Sequence, residues 1–124
     1  MFTRVHFFYR DASNYKYTGE ILVAGKMTLD QIKPHLLEGD SVLVCQLGRE
    51  LELDIPHPGQ QATGGFPTTD DHVYVEIDEC EIVHKLNEGE TPACTASRFI
   101  QGLKQLAGKW DIAAETKTLE IPSE

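Results

Sequence analysis

The chain has 124 residues, of which 40% are hydrophobic and 25% charged, a size and balance that support one domain around a modest core. With 20 acidic and 11 basic residues the net charge is −9, which opposes the many Lys and Arg contacts that long nucleic acids require. No apolar run approaches the roughly 18 residues of a membrane span, and the N-terminus carries no secretion signal, so the expected location is the cytoplasm.

The first predicted element is a strand over 3–10, "TRVHFFYR", rich in β-branched and aromatic residues. Asp11 to Asn14 is turn chemistry, because Asp, Ser and Asn side chains bond nearby backbone and Asn tolerates positive φ. A second strand over 15–25 completes a hairpin. Thr28, with Gln31 three residues on, has the spacing of a capping box, and Leu29, Ile32 and Leu36 follow a helical period. Pro34 makes that helix short or kinked, and Gly39 closes it.

"SVLVCQLG" (41–48) reads as the next strand. Residues 54–71, with three prolines and three glycines, form a loop longer than a small domain usually carries without a function. A long strand is predicted over 72–83. The clearest helix follows, capped by Thr95 or Ser97, with Phe99, Ile100, Leu103 and Leu106 as its apolar stripe and Gly108 at its end. "KTLEI" near the C-terminus suggests a short final strand. The sum is one α+β domain over 1–124, an antiparallel sheet with about two helices.

Catalytic chemistry is sparse. Cys94 precedes a helix whose dipole would favour a thiolate, but no cysteine-enzyme signature surrounds it. Cys45 and Cys80 read as reduced, buried thiols, and there is no CxxC pair to suggest zinc. Asp70, Asp71 and His72, followed by Glu76, invite a metal reading, against the simpler one of a solvated turn running into a strand. No phosphate loop, dinucleotide fingerprint or nucleophile elbow is present, so no enzyme activity and no cofactor are expected.

Binding chemistry is better represented. Arg10, Lys16, Arg49 and Arg98 lie close to turns or helix starts. Arg98 in a first helical turn opposes the helix dipole, which suits either a bound anion or a partner carboxylate. Tyr9, Tyr15, Tyr17 and Phe66 can stack on a base. On the first strand Phe7 and Tyr9 share one face while His6 and Phe8 share the other, and one of these faces must be core.

"FYRDASNYK" (8–16), together with "DDHVYVEI" (70–77), resembles a pattern in small phage and prophage proteins, and among these the first-described Thoeris anti-defence sponge family. The resemblance implies an oligomeric, non-enzymatic protein that sequesters cyclic ADP-ribose isomers made by bacterial TIR-domain proteins, and in some cases cyclic oligonucleotides. It places such a protein in the cytoplasm of the host cell. Arg10, Asn14, Tyr15, Lys16 and Arg98 are then the ligand-binding candidates, in a pocket shared between subunits of a homo-oligomer. The alternative reading is a small acidic module that binds and inhibits a host protein.

Overall fold

Strict alternation along Phe2–Arg10 decides the sheet: Thr3, Val5, Phe7 and Tyr9 are buried, while Arg4, His6, Phe8 and Arg10 face outward. The computed structural model describes residues 1–61 and 65–122. It contains, in chain order, β1 (Phe2–Arg10), β2 (Lys16–Ala24), α1 (Leu29–Ile32), β3 (Ser41–Val42), α2 (Val44–Leu51), β4 (Val75–Val83), β5 (Cys94–Thr95), α3 (Ala96–Leu106) and α4 (Ile112–Thr118). Single 3₁₀ turns follow α1 at Lys33–His35 and interrupt the long loop at Pro58–Gln61.

The five strands lie in the order β3-β4-β1-β2-β5. The β1–β2 hairpin runs in register from Phe2 opposite Ala24 to Arg10 opposite Lys16. On its other side β1 pairs antiparallel with β4, with a register shift at His6/Phe7 that leaves Asp78 as an extra, bulged residue. β2 and β5 are parallel, so the sheet is mixed and the fully antiparallel expectation is corrected. The parallel pair arises because the chain crosses over before Cys94 instead of turning back in a hairpin.

The inner face of the sheet meets the helices in one core. Val5, Phe7, Val23, Val75 and Ile77 pack with Ile32, Leu47, Leu51, Phe99 and Leu103. Each fully buried side chain of this size stabilises the fold by about 1.5–3 kcal/mol relative to leaving it exposed. α2 and α3 approach closely at two glycines. A Cβ on Gly102 would stand 2.7 Å from the Leu51 side chain, and one on Gly48 would stand 2.6 Å from the Leu53 carbonyl oxygen.

The hairpin, the Thr28–Gln31 capping box, the short first helix and the Thr95 cap of α3 form as the sequence predicts. The predicted 72–83 strand is paired only from Val75. Two further expectations are corrected, and with them the number of α-helices, which is four among the described residues.

Residues 41–48 form a strand only at Ser41–Val42. From Val44 the chain is helical, with Val44, Leu47, Gly48 and Leu51 buried at helical spacing. A short apolar run does not distinguish a buried strand from a buried helix, and here a distant side chain decides it. The carboxylate of Glu115, fully buried, accepts the Cys45 N–H at 2.7 Å and the Gln46 N–H at 3.1 Å, supplying the cap that Leu43 lacks.

The "KTLEI" segment is not a strand. It overlaps the end of α4, which starts from Asp111 as N-cap, accepting the Ala114 N–H at 3.0 Å, and runs through good helix formers. The part-buried cysteines Cys45, Cys80 and Cys94 are all free.

On the outer face, the Arg4 guanidinium bonds Glu90 through two nitrogens, at 2.7 and 3.2 Å, and Glu20 at 2.6 Å. This fork ties the 84–93 connection onto the sheet. It also holds the Glu90 carboxyl well below the usual range, at about 2.

Candidate functional site

The hairpin turn closes through its own side chains. Asp11 accepts the Tyr15 N–H at 2.9 Å, and Asn14 takes a left-handed φ of 68°, a conformation Asn tolerates better than most residues. The turn is then stitched to the long loop. Ser13 donates to the Asp70 carboxylate at 2.6 Å, and the Ala12 N–H bonds the Asp70 carbonyl at 2.9 Å.

Beneath these contacts lies a buried polar network. Tyr9 donates its hydroxyl to Asp71 at 2.7 Å and accepts the His72 N–H at 3.0 Å. Burial, reinforced by the Asp71 hydrogen bond, raises the Tyr9 pKa far above its ordinary value, so the hydroxyl stays a donor.

His57 is fully buried. Its Nδ1 accepts the Gly59 N–H at 3.0 Å, so the proton sits on Nε2, which donates to the His72 carbonyl at 3.0 Å. Its ring lies edge-on to Tyr9 at 4.2 Å and beside Phe66 at 4.8 Å. Burial pushes its pKa down to about 4, so near neutral pH the ring is uncharged. This arrangement fixes the loop against the sheet; both ring nitrogens are occupied, which leaves none for proton transfer.

Two hollows flank the hairpin, one on each side of β1. The first, about 190 Å³, lies between the turn and the loop and is lined by Asp11, Ser13, Tyr15, Tyr17, Phe66 and Asp70, among others. Its carboxylates face no lining cation, which makes it a poor seat for phosphate. The second, about 220 Å³, opens on the outer face and is lined by Phe8, Arg10, Ser41, His72, Tyr74 and Glu76. The Arg10 guanidinium stands 5.7 Å from the Phe8 ring centre and forms no ion pair with any described residue. His72 Nδ1 accepts the Tyr74 N–H at 3.1 Å while Nε2 donates to the Arg10 carbonyl at 2.7 Å, so one imidazole positions two of the lining residues.

The sequence candidates therefore do not form one cluster. Arg10 lines the outer hollow. Tyr15, 65% exposed, lines the acidic one. Asn14 shapes the turn, and Lys16 projects from the outer face of β2 opposite Arg10. Arg98 follows the pairing of β5 with Val23 and Ala24, and Val23 itself lies about 23 Å along β2 from Lys16 at about 3.3 Å per strand residue. Its guanidinium donates to the Glu50 carbonyl in the last turn of α2 and lies 3.6 Å from the Glu50 carboxylate. That is the partner-carboxylate alternative, strengthened by an orphan helix-end carbonyl.

Cys94 is not activated, since burial raises its thiol pKa and Arg98 only partly opposes this. Asp71 is committed to Tyr9 and to the Thr68 N–H at 2.8 Å. Among the described residues no group of three or more His, Cys, Asp or Glu side chains is placed to hold a metal.

Phe8, Ser41 and Tyr74 are the lining residues that the sequence reading does not select. Phe8 shares an outward face with Arg10, a signal available from alternation alone. Ser41 and His72 meet Arg10 only through tertiary structure. No protein-family model matches this chain, and neither does any curated protein or any solved structure.

Proposed function

We propose that this domain acts by binding, and that it sequesters a small phosphate-bearing cyclic nucleotide without cleaving it. Cyclic ADP-ribose isomers come first, as the hairpin's resemblance to the anti-defence sponge family implies. The observation that carries the reading is Arg10: on a chain with a net charge of −9, its guanidinium stands over Phe8 at the mouth of a hollow and has no carboxylate partner among the described residues.

Such an arginine offers a fork of donors to phosphate. Tyr74 and Phe8 offer ring faces to a purine, and Ser41 and Glu76 can bond ribose hydroxyls. The hollow falls short of the roughly 300 Å³ at which small-ligand pockets begin. A second copy supplying the missing wall, as in a homo-oligomer, fits this shortfall.

The test is a thermal-shift panel of cyclic ADP-ribose isomers and cyclic di- and trinucleotides, followed by mass spectrometry of each mixture. Stabilisation of about 2.7 kcal/mol at 100 times Kd, with the ligand recovered intact and the shift lost in Arg10→Ala, supports the proposal. Ligand converted to product, or an unchanged shift in Arg10→Ala, overturns it.

A second reading, a module that grips a basic protein, is favoured by the exposed acidic row Glu76, Asp78, Glu79 and Glu81 on β4. It predicts no nucleotide shift, and partner capture that weakens when these acids are neutralised.

A further inference from the structure

The two long free edges of the sheet differ in kind. Along β4, β3 covers only Val75 and Glu76, and beyond them come the bulged Asp78 and the exposed Glu79 and Glu81. Bulges and outward charges of one sign are the means by which proteins keep an edge from pairing.

β2 lacks this protection. β5 covers it only at Val23 and Ala24, and the Ala93 N–H takes the Leu22 carbonyl at 2.8 Å. The bonds Gly25 N–H to Met1 O and Asp11 N–H to Tyr15 O fix the hairpin's hydrogen-bonding phase. In that phase the odd-numbered residues of β2 turn their backbone groups toward β1 and the even-numbered ones away. The N–H and C=O groups of Lys16, Thr18 and Glu20 therefore point out of the sheet. All three residues are exposed, and no described residue bonds these groups. The open window is bounded by the hairpin turn at one end and Ala93 at the other, with Thr18 at its centre.

We propose that β2 pairs antiparallel with β2 of a second copy across a two-fold axis at Thr18, joining the two sheets into one. Thr18 then faces itself, and Lys16 of each copy faces Glu20 of the other, so opposite charges meet twice on the outer face. On the inner face Tyr17 of each copy stands opposite Gly19 of the other, whose inner side Pro58 of the same chain already covers. All six outward backbone groups in each window are satisfied. An axis at Gly19 instead would set Lys16 against Leu22, whose carbonyl Ala93 already occupies. Charge and backbone supply therefore select the same register. The interface lies across β2, on the opposite side of β1 from the Arg10 hollow, so it stands or falls separately from nucleotide binding.

The experiment is sedimentation of the full chain with three variants. Wild type is expected to be dimeric. Thr18→Pro removes an N–H that the hairpin does not use, and is expected to give a folded monomer with an unchanged circular dichroism spectrum. Lys16→Glu, which leaves the backbone alone and puts like charges together, is expected to weaken the dimer at least tenfold at low salt. In Thr18→Cys the two Cα atoms would lie about 5.5 Å apart, within disulfide range, and mild oxidation is expected to cross-link the dimer. A wild type that stays monomeric at its highest soluble concentration overturns the proposal. So does a dimer that Lys16→Glu leaves intact and Thr18→Cys fails to cross-link.

Discussion

β1 separates two environments made from neighbouring residues. On its inner side Tyr9 sits in a closed network with Asp71, His72 and His57, where donors and acceptors are matched and the rings are packed. On its outer side, one residue along, Arg10 stands over Phe8 in an open hollow with its charge unpaired by any described residue. The inner side holds the long loop in place, and the outer side is open to solvent. Alternation along a strand lets a single hairpin do both, because successive side chains answer to different surroundings.

The comparison breaks most strongly at His57. His57→Ala removes a buried ring and leaves the Gly59 N–H and the His72 carbonyl without their partner, and is expected to cost about 4 kcal/mol in urea unfolding. Acid should reach the same point. In the unfolded chain His57 binds a proton near pH 6.5, whereas the fold resists protonation until about pH 4. Its contribution is therefore complete above pH 6.5 and falls by on the order of 3 kcal/mol as pH drops toward 4. Stability measured across that window should decline in the wild type and show a shallower slope in His57→Ala.

Tyr9→Phe keeps the ring but strands Asp71 and the His72 N–H, for an expected loss of about 2 kcal/mol. On the outer side Arg10→Ala should change stability by no more than ~0.5 kcal/mol, because the side chain is exposed and unpaired, while removing any nucleotide-induced shift. A large stability loss there would show that Arg10 is structural, and the contrast between the two sides would fail.

Much of the fold is legible in local chemistry. The hairpin follows from "TRVHFFYR" and "DASN", and the helix starts from Thr28 with Gln31 and from Thr95. The misread segments are those decided at long range. "SVLVCQLG" is helical from Val44 because Glu115, 70 residues away from Cys45, caps it, and "KTLEI" begins in the last turn of the helix that carries that same glutamate and runs past its end.

The candidate site divides in the same way. Arg10 and the turn can be read from adjacent residues, but its neighbours Ser41, His72 and Tyr74 arrive from other elements. Arg98 looks like an anion site from its place in a first turn. The Glu50 carbonyl that claims it belongs to a helix packed alongside, and nothing near Arg98 in the sequence announces that.

The reach of Glu115 also bears on how the chain matures during synthesis. α2 leaves the ribosome well before the carboxylate that completes its first turn, so for that interval its eight residues, too few to hold a helix alone, lack the contact that starts it. The nascent domain passes the point of mutual support only once α4 has emerged. A ribosome stalled between the two would hold an aggregation-prone intermediate.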